Sequence, residues 1–111
     1  MDESSFDALA NATLEALMDR IDEAAGDVLD AELVDGVLTV TLEDGAQYVV
    51  NRHSVNREIW LSSPRSGAGH YAWDAAREAW IDRRRGGGLR ALLEEELAAE
   101  AGRPLGLVET S

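Results

Sequence analysis

The first quarter of the chain carries one hydrophobic stripe at helical spacing. Its apolar side chains recur every three or four residues: Phe6, Leu9, Ala10, Leu14, Leu17, Met18, Ile21 and Ala25. This spacing predicts an amphipathic helix that buries one face. Ser4 or Ser5 is predicted to cap its start, and Gly26 is predicted to end it.

After the first predicted helix, apolar and polar residues alternate with a period of two. Leu38, Val40 and Leu42 alternate with polar residues, as in a strand with one buried face. The dipeptides 35–36 and 44–45 are both Asp-Gly, which tight hairpins prefer. The pattern therefore predicts an antiparallel meander. Further short strands are predicted at 47–52, 58–62, 70–73 and 79–82, and Trp73 and Trp80, beside Tyr71 and Ile81, are predicted to lie mainly in the core.

Helical spacing returns near the end of the chain. Leu89, Leu92, Leu93 and Leu97 follow three glycines and precede Gly102, which predicts a second helix. Helices at both ends and strands between them predict an α+β fold, with both helices on one face of an antiparallel sheet of five or six strands. We expect a single domain over residues 1–111, with a core at about 5–102 and a tail at 103–111. The sequence leaves open whether Leu105, Leu107 and Val108 of the tail cover the groove between the helices.

Composition and charge restrict the classes of function. The 111 residues include no cysteine and carry a net charge of -12. Any metal must therefore be held by oxygen or imidazole, and a thiolate-held cluster is excluded. Negative charge disfavours nucleic acid and anionic membranes as partners. Because no apolar run could span a bilayer and the N-terminus lacks a signal-peptide pattern, we expect a cytoplasmic protein.

The acidic residues are unevenly distributed along the chain. Residues 1–50 hold 13 carboxylates and a single base, Arg20, whereas the remainder holds 9 acids and 9 arginines. Such asymmetry predicts a dedicated binding face. Helical spacing places the first four acids of this face on one flank of the helix, and the others follow in the next loop and strand. This predicted acidic ridge comprises Glu15, Asp19, Asp22, Glu23, Asp27, Asp30 and Glu32.

The acidic ridge suggests a cation or a basic protein as its ligand. Like charges at helical spacing cost about 0.2 to 0.5 kcal/mol per pair, and either ligand would relieve that repulsion. Carboxylates suit ferrous and ferric iron, with weak affinity on the order of 10⁻⁵ M or poorer, and other divalent cations should substitute. The alternative is a solvated face that only maintains solubility.

Strand parity singles out Trp60. If Ile59 and Leu61 face the core, Trp60 points to the solvated face of the sheet. Two interpretations remain open: Trp60 anchors a partner protein, or it packs flat against neighbouring strands. Asn51 and other polar residues nearby would supply hydrogen-bond donors.

These residues form a string that resembles the frataxin signature: Tyr48-Val49-Val50-Asn51, then Asn56, Ile59-Trp60-Leu61-Ser62-Ser63-Pro64, Ser66-Gly67, Tyr71 and Trp73. The resemblance extends from Phe6 to about Ala101, and the chain resembles the bacterial members of the frataxin family. It implies two terminal helices on a five- to seven-stranded antiparallel sheet. It also implies that the acidic ridge binds iron and that the protein docks onto the cysteine desulfurase and scaffold complex of iron-sulfur cluster assembly. Partner contacts would then come from Asp22, Glu23, Asn51 and Trp60 of a monomer, and whether iron drives oligomerisation is open.

Several alternatives remain at this stage. We expect a binding protein rather than an enzyme. It would either regulate cluster assembly or supply iron, and the sequence does not decide whether such regulation activates or inhibits assembly. A metal-independent acidic adaptor and a weak ferroxidase or iron-storage protein are the alternatives. His53 and His70 are interpreted as ordinary surface residues outside the primary site. The run Arg83-Arg84-Arg85 is interpreted as a solvated turn or a contact to an acidic surface.

Overall fold

The first helix buries the predicted stripe. A computed structural model describes residues 1–108, in which α1 spans Glu3–Ala25. Gly26 ends the helix as predicted. The predicted serine cap is wrong, because the carboxylate of Asp2 accepts a hydrogen bond from the backbone N–H of Ser5 at 2.7 Å. A charged aspartate at this position also complements the positive end of the helix dipole.

In the described part of the chain, six antiparallel strands lie side by side in chain order. They are β1 Asp30–Val34, β2 Val37–Thr41, β3 Gln47–His53, β4 Glu58–Ser63, β5 Gly67–Asp74 and β6 Ala79–Asp82. This order confirms the predicted meander and the α+β class. Strand β5 begins three residues earlier than predicted, because Gly67 pairs with Ser63. A Cβ on Gly69 would lie 2.8 Å from Cε1 of Tyr71, so only glycine fits there without a shift.

Both helices cover the inner face of the sheet. Helix α2 spans Leu89–Ala101 and buries Leu89, Leu93 and Leu97. Trp80 of β6 ties the layers together: its ring meets Phe6 edge-on at 5.8 Å, and its Nε1–H donates to Oγ1 of Thr13 at 3.0 Å. Trp80 is buried as predicted, whereas Trp73 is half-buried and packs against the core.

The tail packs against both helices. Leu105 and Leu107 are buried, and their backbone N–H groups donate to the two carboxylate oxygens of Glu94 on α2 at 3.0 and 2.9 Å. Arg103 reaches α1, where it donates to the carbonyl of Ala24 at 3.0 Å. Val108 stays 45% exposed, and residues 109–111 of the predicted tail lie outside the described part of the chain. The tail thus adds two leucines to the core.

Helix α1 has 23 residues, yet neither it nor α2 combines the length and the apolar character that crossing a membrane requires.

Candidate functional site

All seven carboxylates of the acidic ridge are exposed. Glu15, Asp19, Asp22 and Glu23 lie on the second half of α1, and Asp27 lies in the following loop. Asp30 and Glu32 lie on β1, the edge strand, where they alternate with half-buried side chains. The ridge therefore follows the end of the helix and continues along one edge of the sheet.

Two members of the ridge are neutralised by arginines. Glu23 pairs with Arg20 at 3.0 Å. Asp27 accepts two hydrogen bonds from Arg103, at 2.9 and 2.8 Å, and this contact holds the pKa of Asp27 below its ordinary value. The other five carboxylates form no ion pair within residues 1–108.

The position of the ridge on α1 works against helix stability. Asp19, Asp22 and Glu23 lie in the last two turns, where the helix dipole is negative. The last turn has no basic residue to offset them. Glu23 is offset by its pair with Arg20, but Asp19 and Asp22 form no ion pair within residues 1–108, so a stabilising role within the helix does not explain these two.

The ridge is an open surface rather than a metal cage. Among residues 1–108, no three His, Cys, Asp or Glu side chains come together as metal ligands. A cation on the ridge would be held by one or two carboxylates, with water completing its coordination.

Trp60 lies on the outer face of the sheet, as its parity predicted, with Ile59 and Leu61 buried on the other side. The ring of His53 stacks on the indole of Trp60, with centroids 3.7 Å apart and planes 11° apart. His70 stacks with Trp60 as well, at 4.5 Å and 17°. Of the two interpretations of Trp60, the structure shows packing against neighbouring strands, and its contact with a partner stays a prediction.

The strand register explains this aromatic stack. Trp60 pairs directly with Asn51 on β3 and with His70 on β5. His53 lies two residues beyond Asn51, a diagonal neighbour within reach of a large ring. Sequence reasoning placed both histidines outside the site, because the parity of each strand was visible but the register between strands was not. Asn51 is half-buried beside the stack.

Glu58 fixes the stack from one side. Its side chain is only 5% exposed, and its Oε1 accepts the indole N–H of Trp60 at 2.7 Å. Its Oε2 pairs with Nη1 of Arg83 at 3.2 Å. The indole therefore has its N–H satisfied and both ring faces occupied.

Other residues of the signature string hold the β4–β5 loop on α2. Tyr48 and Ser63 donate their hydroxyls to Oε1 of Glu96 at 2.8 and 2.7 Å. Oγ of Ser63 also accepts the backbone N–H groups of Arg65 and Ser66, both at 3.0 Å. Burial raises the pKa of Tyr48. Burial alone would raise the pKa of Glu96, but the hydrogen bonds that it accepts outweigh burial and lower it.

Residues 1–103 match the family model of the frataxin-like domain. The chain belongs to the frataxin family. It is 39% identical over 109 residues to the iron-sulfur cluster assembly protein CyaY of Thioalkalivibrio sulfidiphilus, covering 96% of this chain and all of that one. These findings confirm the resemblance in the signature string.

Solved structures of the family share the fold. Frataxin from Psychromonas ingrahamii superposes with a TM-score of 0.86 at 23% identity, over 98% of this chain and 100% of that one, which supports the fold alone. A trimeric frataxin from the yeast Saccharomyces cerevisiae, complexed with ferrous iron, gives a TM-score of 0.70 at 31% identity, over 93% of this chain and 88% of that one.

Proposed function

We propose that this chain is a cytoplasmic, non-enzymatic accessory protein of iron-sulfur cluster assembly that binds iron and a partner protein through the acidic ridge. Family membership supports the assembly role, since the Thioalkalivibrio relative is named for it. Relationship to a yeast frataxin complexed with ferrous iron supports the metal. The observation that carries the proposal is the set of five exposed carboxylates on α1 and β1 that form no ion pair within residues 1–108.

Iron would be bound weakly and released readily. Carboxylate oxygens are suitable ligands for ferrous and ferric iron. Because no three ligands converge within residues 1–108, affinity should be on the order of 10⁻⁵ M or poorer, and other divalent cations should compete. Such a site suits a sensor or donor of iron better than a store.

The partner would be the cysteine desulfurase and scaffold complex. A basic surface of that complex would meet Asp22 and the rest of the ridge, and attraction between the two would set the association rate. Asn51 and the edge of the Trp60 stack would contact the complex at the sheet. An already stacked indole loses little conformational freedom on binding, which favours such a contact.

Paired neutralising variants test this proposal. Asp19→Asn with Asp22→Asn removes two charges from the ridge, and Glu78→Gln with Glu95→Gln removes two exposed charges elsewhere. Anaerobic calorimetric titration with ferrous iron, and binding to a purified cysteine desulfurase, are measured for both pairs. We expect the ridge pair to weaken each affinity at least about threefold more than the control pair does. Equal effects of the two pairs would show that only net charge matters and would contradict a dedicated face.

The two alternative functions are distinguished by iron. A metal-independent adaptor would bind the desulfurase equally well with and without ferrous iron, whereas the proposal expects iron to change that affinity. Saturable oxidation of ferrous iron by sub-stoichiometric protein would contradict the non-enzymatic assignment.

A further inference from the structure

The ten arginines of the chain differ in the contacts that their guanidinium groups make. Among the residues that the structure describes, six of them pair with carboxylates: Arg20, Arg52, Arg65, Arg77, Arg83 and Arg103. Arg57 and Arg90 donate to backbone carbonyls. Within residues 1–108, the guanidinium groups of Arg84 and Arg85 have neither kind of contact. Two adjacent unneutralised arginines are unexpected in a protein with 22 acidic residues.

These two arginines lie on a loop with a fixed backbone, residues 82–88, here called the basic hook. The carboxylate of Asp82 is 8% exposed, and its Oδ1 accepts the backbone N–H groups of Arg84 and Arg85 at 2.8 and 3.1 Å. Main-chain hydrogen bonds also join Asp82 to Gly86 and to Gly87, at 3.0 and 2.8 Å. Oδ1 of Asp82 is therefore used by the backbone of the loop, and both arginines are exposed. A preorganised loop loses little entropy on binding.

The basic hook borders the Trp60 stack. The backbone N–H of Arg83 donates to the carbonyl of His70 at 2.9 Å, which extends the cross-strand row formed by Asn51, Trp60 and His70. Arg83 also shares Glu58 with the indole. The stack and the hook are thus parts of one continuous surface.

The same sheet carries the acidic ridge at its opposite edge. Strand β1 is the first strand of the sheet and β6, which leads into the hook, is the last. Five interstrand spacings separate them, which amounts to about 24 Å. This exceeds the screening length of about 8 Å at physiological salt, so the two edges act as separate electrostatic sites.

We infer that the basic hook binds a carboxylate-bearing segment of the partner protein that docks on the outer face of the sheet. The partner would present a basic patch to the ridge and an acidic patch to the hook, on opposite sides of Trp60. Two contacts of opposite charge allow only one docking polarity, because a reversed partner would meet like charges at both edges. The inference rests on the proposed function for the existence of this partner and for its contacts with the ridge and the Trp60 stack.

A charge reversal with a matched control tests the inference. Arg84→Glu and Arg77→Glu change the net charge equally at exposed positions, the first in the hook and the second in the turn at the other end of β6. The affinity of each variant for the purified desulfurase and scaffold complex is measured by calorimetry at low and at physiological salt, after thermal unfolding has shown that both variants fold.

We expect Arg84→Glu to weaken binding at least about threefold more than Arg77→Glu, with a smaller difference at higher salt. Equal or tighter binding of Arg84→Glu, relative to Arg77→Glu, would overturn the inference and leave the proposed function standing. If the wild-type protein did not bind the complex, both would fail. A single-stranded oligonucleotide is tested in the same way. If it bound the wild type as tightly as the complex does, and if Arg84→Glu abolished that binding, the hook would be assigned to nucleic acid and the inference would be overturned.

Discussion

Replacement of the two buried tail leucines is expected to remove much of the stability of the domain. Leu105 and Leu107 lie beyond the end of α2, and no more than 1% of their surface is exposed. A buried leucine replaced by alanine costs about 2 to 5 kcal/mol, with lower values where the surroundings can collapse. The tail lies at the rim of the core, so we take about 2 to 3 kcal/mol for each.

The double variant Leu105→Ala with Leu107→Ala should therefore lose about 4 kcal/mol or somewhat more, since neighbouring sites do not add fully. Domains of this size are stable by only about 5 to 15 kcal/mol. At about 4 °C or more per kcal/mol, the melting temperature should fall by about 15 °C or more. Urea unfolding followed by tryptophan fluorescence measures the free energy directly, because Trp80 is buried and all three tryptophans lie in strands.

Val108→Ala is the matched control. Val108 adjoins Leu107 but is 45% exposed, so its truncation should change the free energy of unfolding by less than about 0.5 kcal/mol. A free energy of unfolding of the double leucine variant within about 1 kcal/mol of the wild-type value would refute this reasoning. It would mean that the tail is not packed against the helices in solution.

Two further predictions concern carboxylates that accept hydrogen bonds from other side chains. The lowered pKa of Glu96 means that its contribution to stability is complete above its ordinary pKa of 4.5 and is lost as the pH falls through the lower folded value. Urea unfolding from pH 7 to pH 3 should therefore show a smaller acid-induced loss in Glu96→Gln than in the wild type, and an unchanged loss would refute this assignment. Glu58→Ala should cost about 1 to 3 kcal/mol, because it leaves the indole N–H of Trp60 without its acceptor. Glu58→Gln keeps an acceptor oxygen and should cost clearly less in the same assay, and equal costs would show that the ion pair with Arg83 dominates.

Local patterns of the sequence predicted the elements of the fold well. The apolar spacing from Phe6 to Ala25 and the two Asp-Gly dipeptides are signals between residues close in sequence. The helix and the turns that they predict therefore depend little on the rest of the chain. The helix cap was wrong because Asp2 and the serines at 4 and 5 are all competent caps. Which of the three side chains caps the helix depends on where its first turn begins, and only the folded structure shows this.

Contacts between distant parts of the chain were not predictable in this way. The outward direction of Trp60 follows from parity within one strand, but its stacking with His53 and His70 requires the register of three strands. Likewise, helical spacing located the acidic ridge, yet it did not reveal that Arg103, 76 residues away, neutralises Asp27. Asp27 became distinguishable from the five carboxylates that form no ion pair within residues 1–108 only in the folded structure, which brings Arg103 to the end of α1.

The most direct measurement of the central claim is an anaerobic titration of the ¹⁵N-labelled protein with ferrous iron, followed amide by amide in two-dimensional NMR spectra. Paramagnetic broadening should appear first at residues 15–32, centred on Asp19, Asp22, Asp30 and Glu32, while amides of the basic hook keep their intensity. Broadening centred on His53 and His70, or spread evenly over the chain, would contradict iron binding by the acidic ridge.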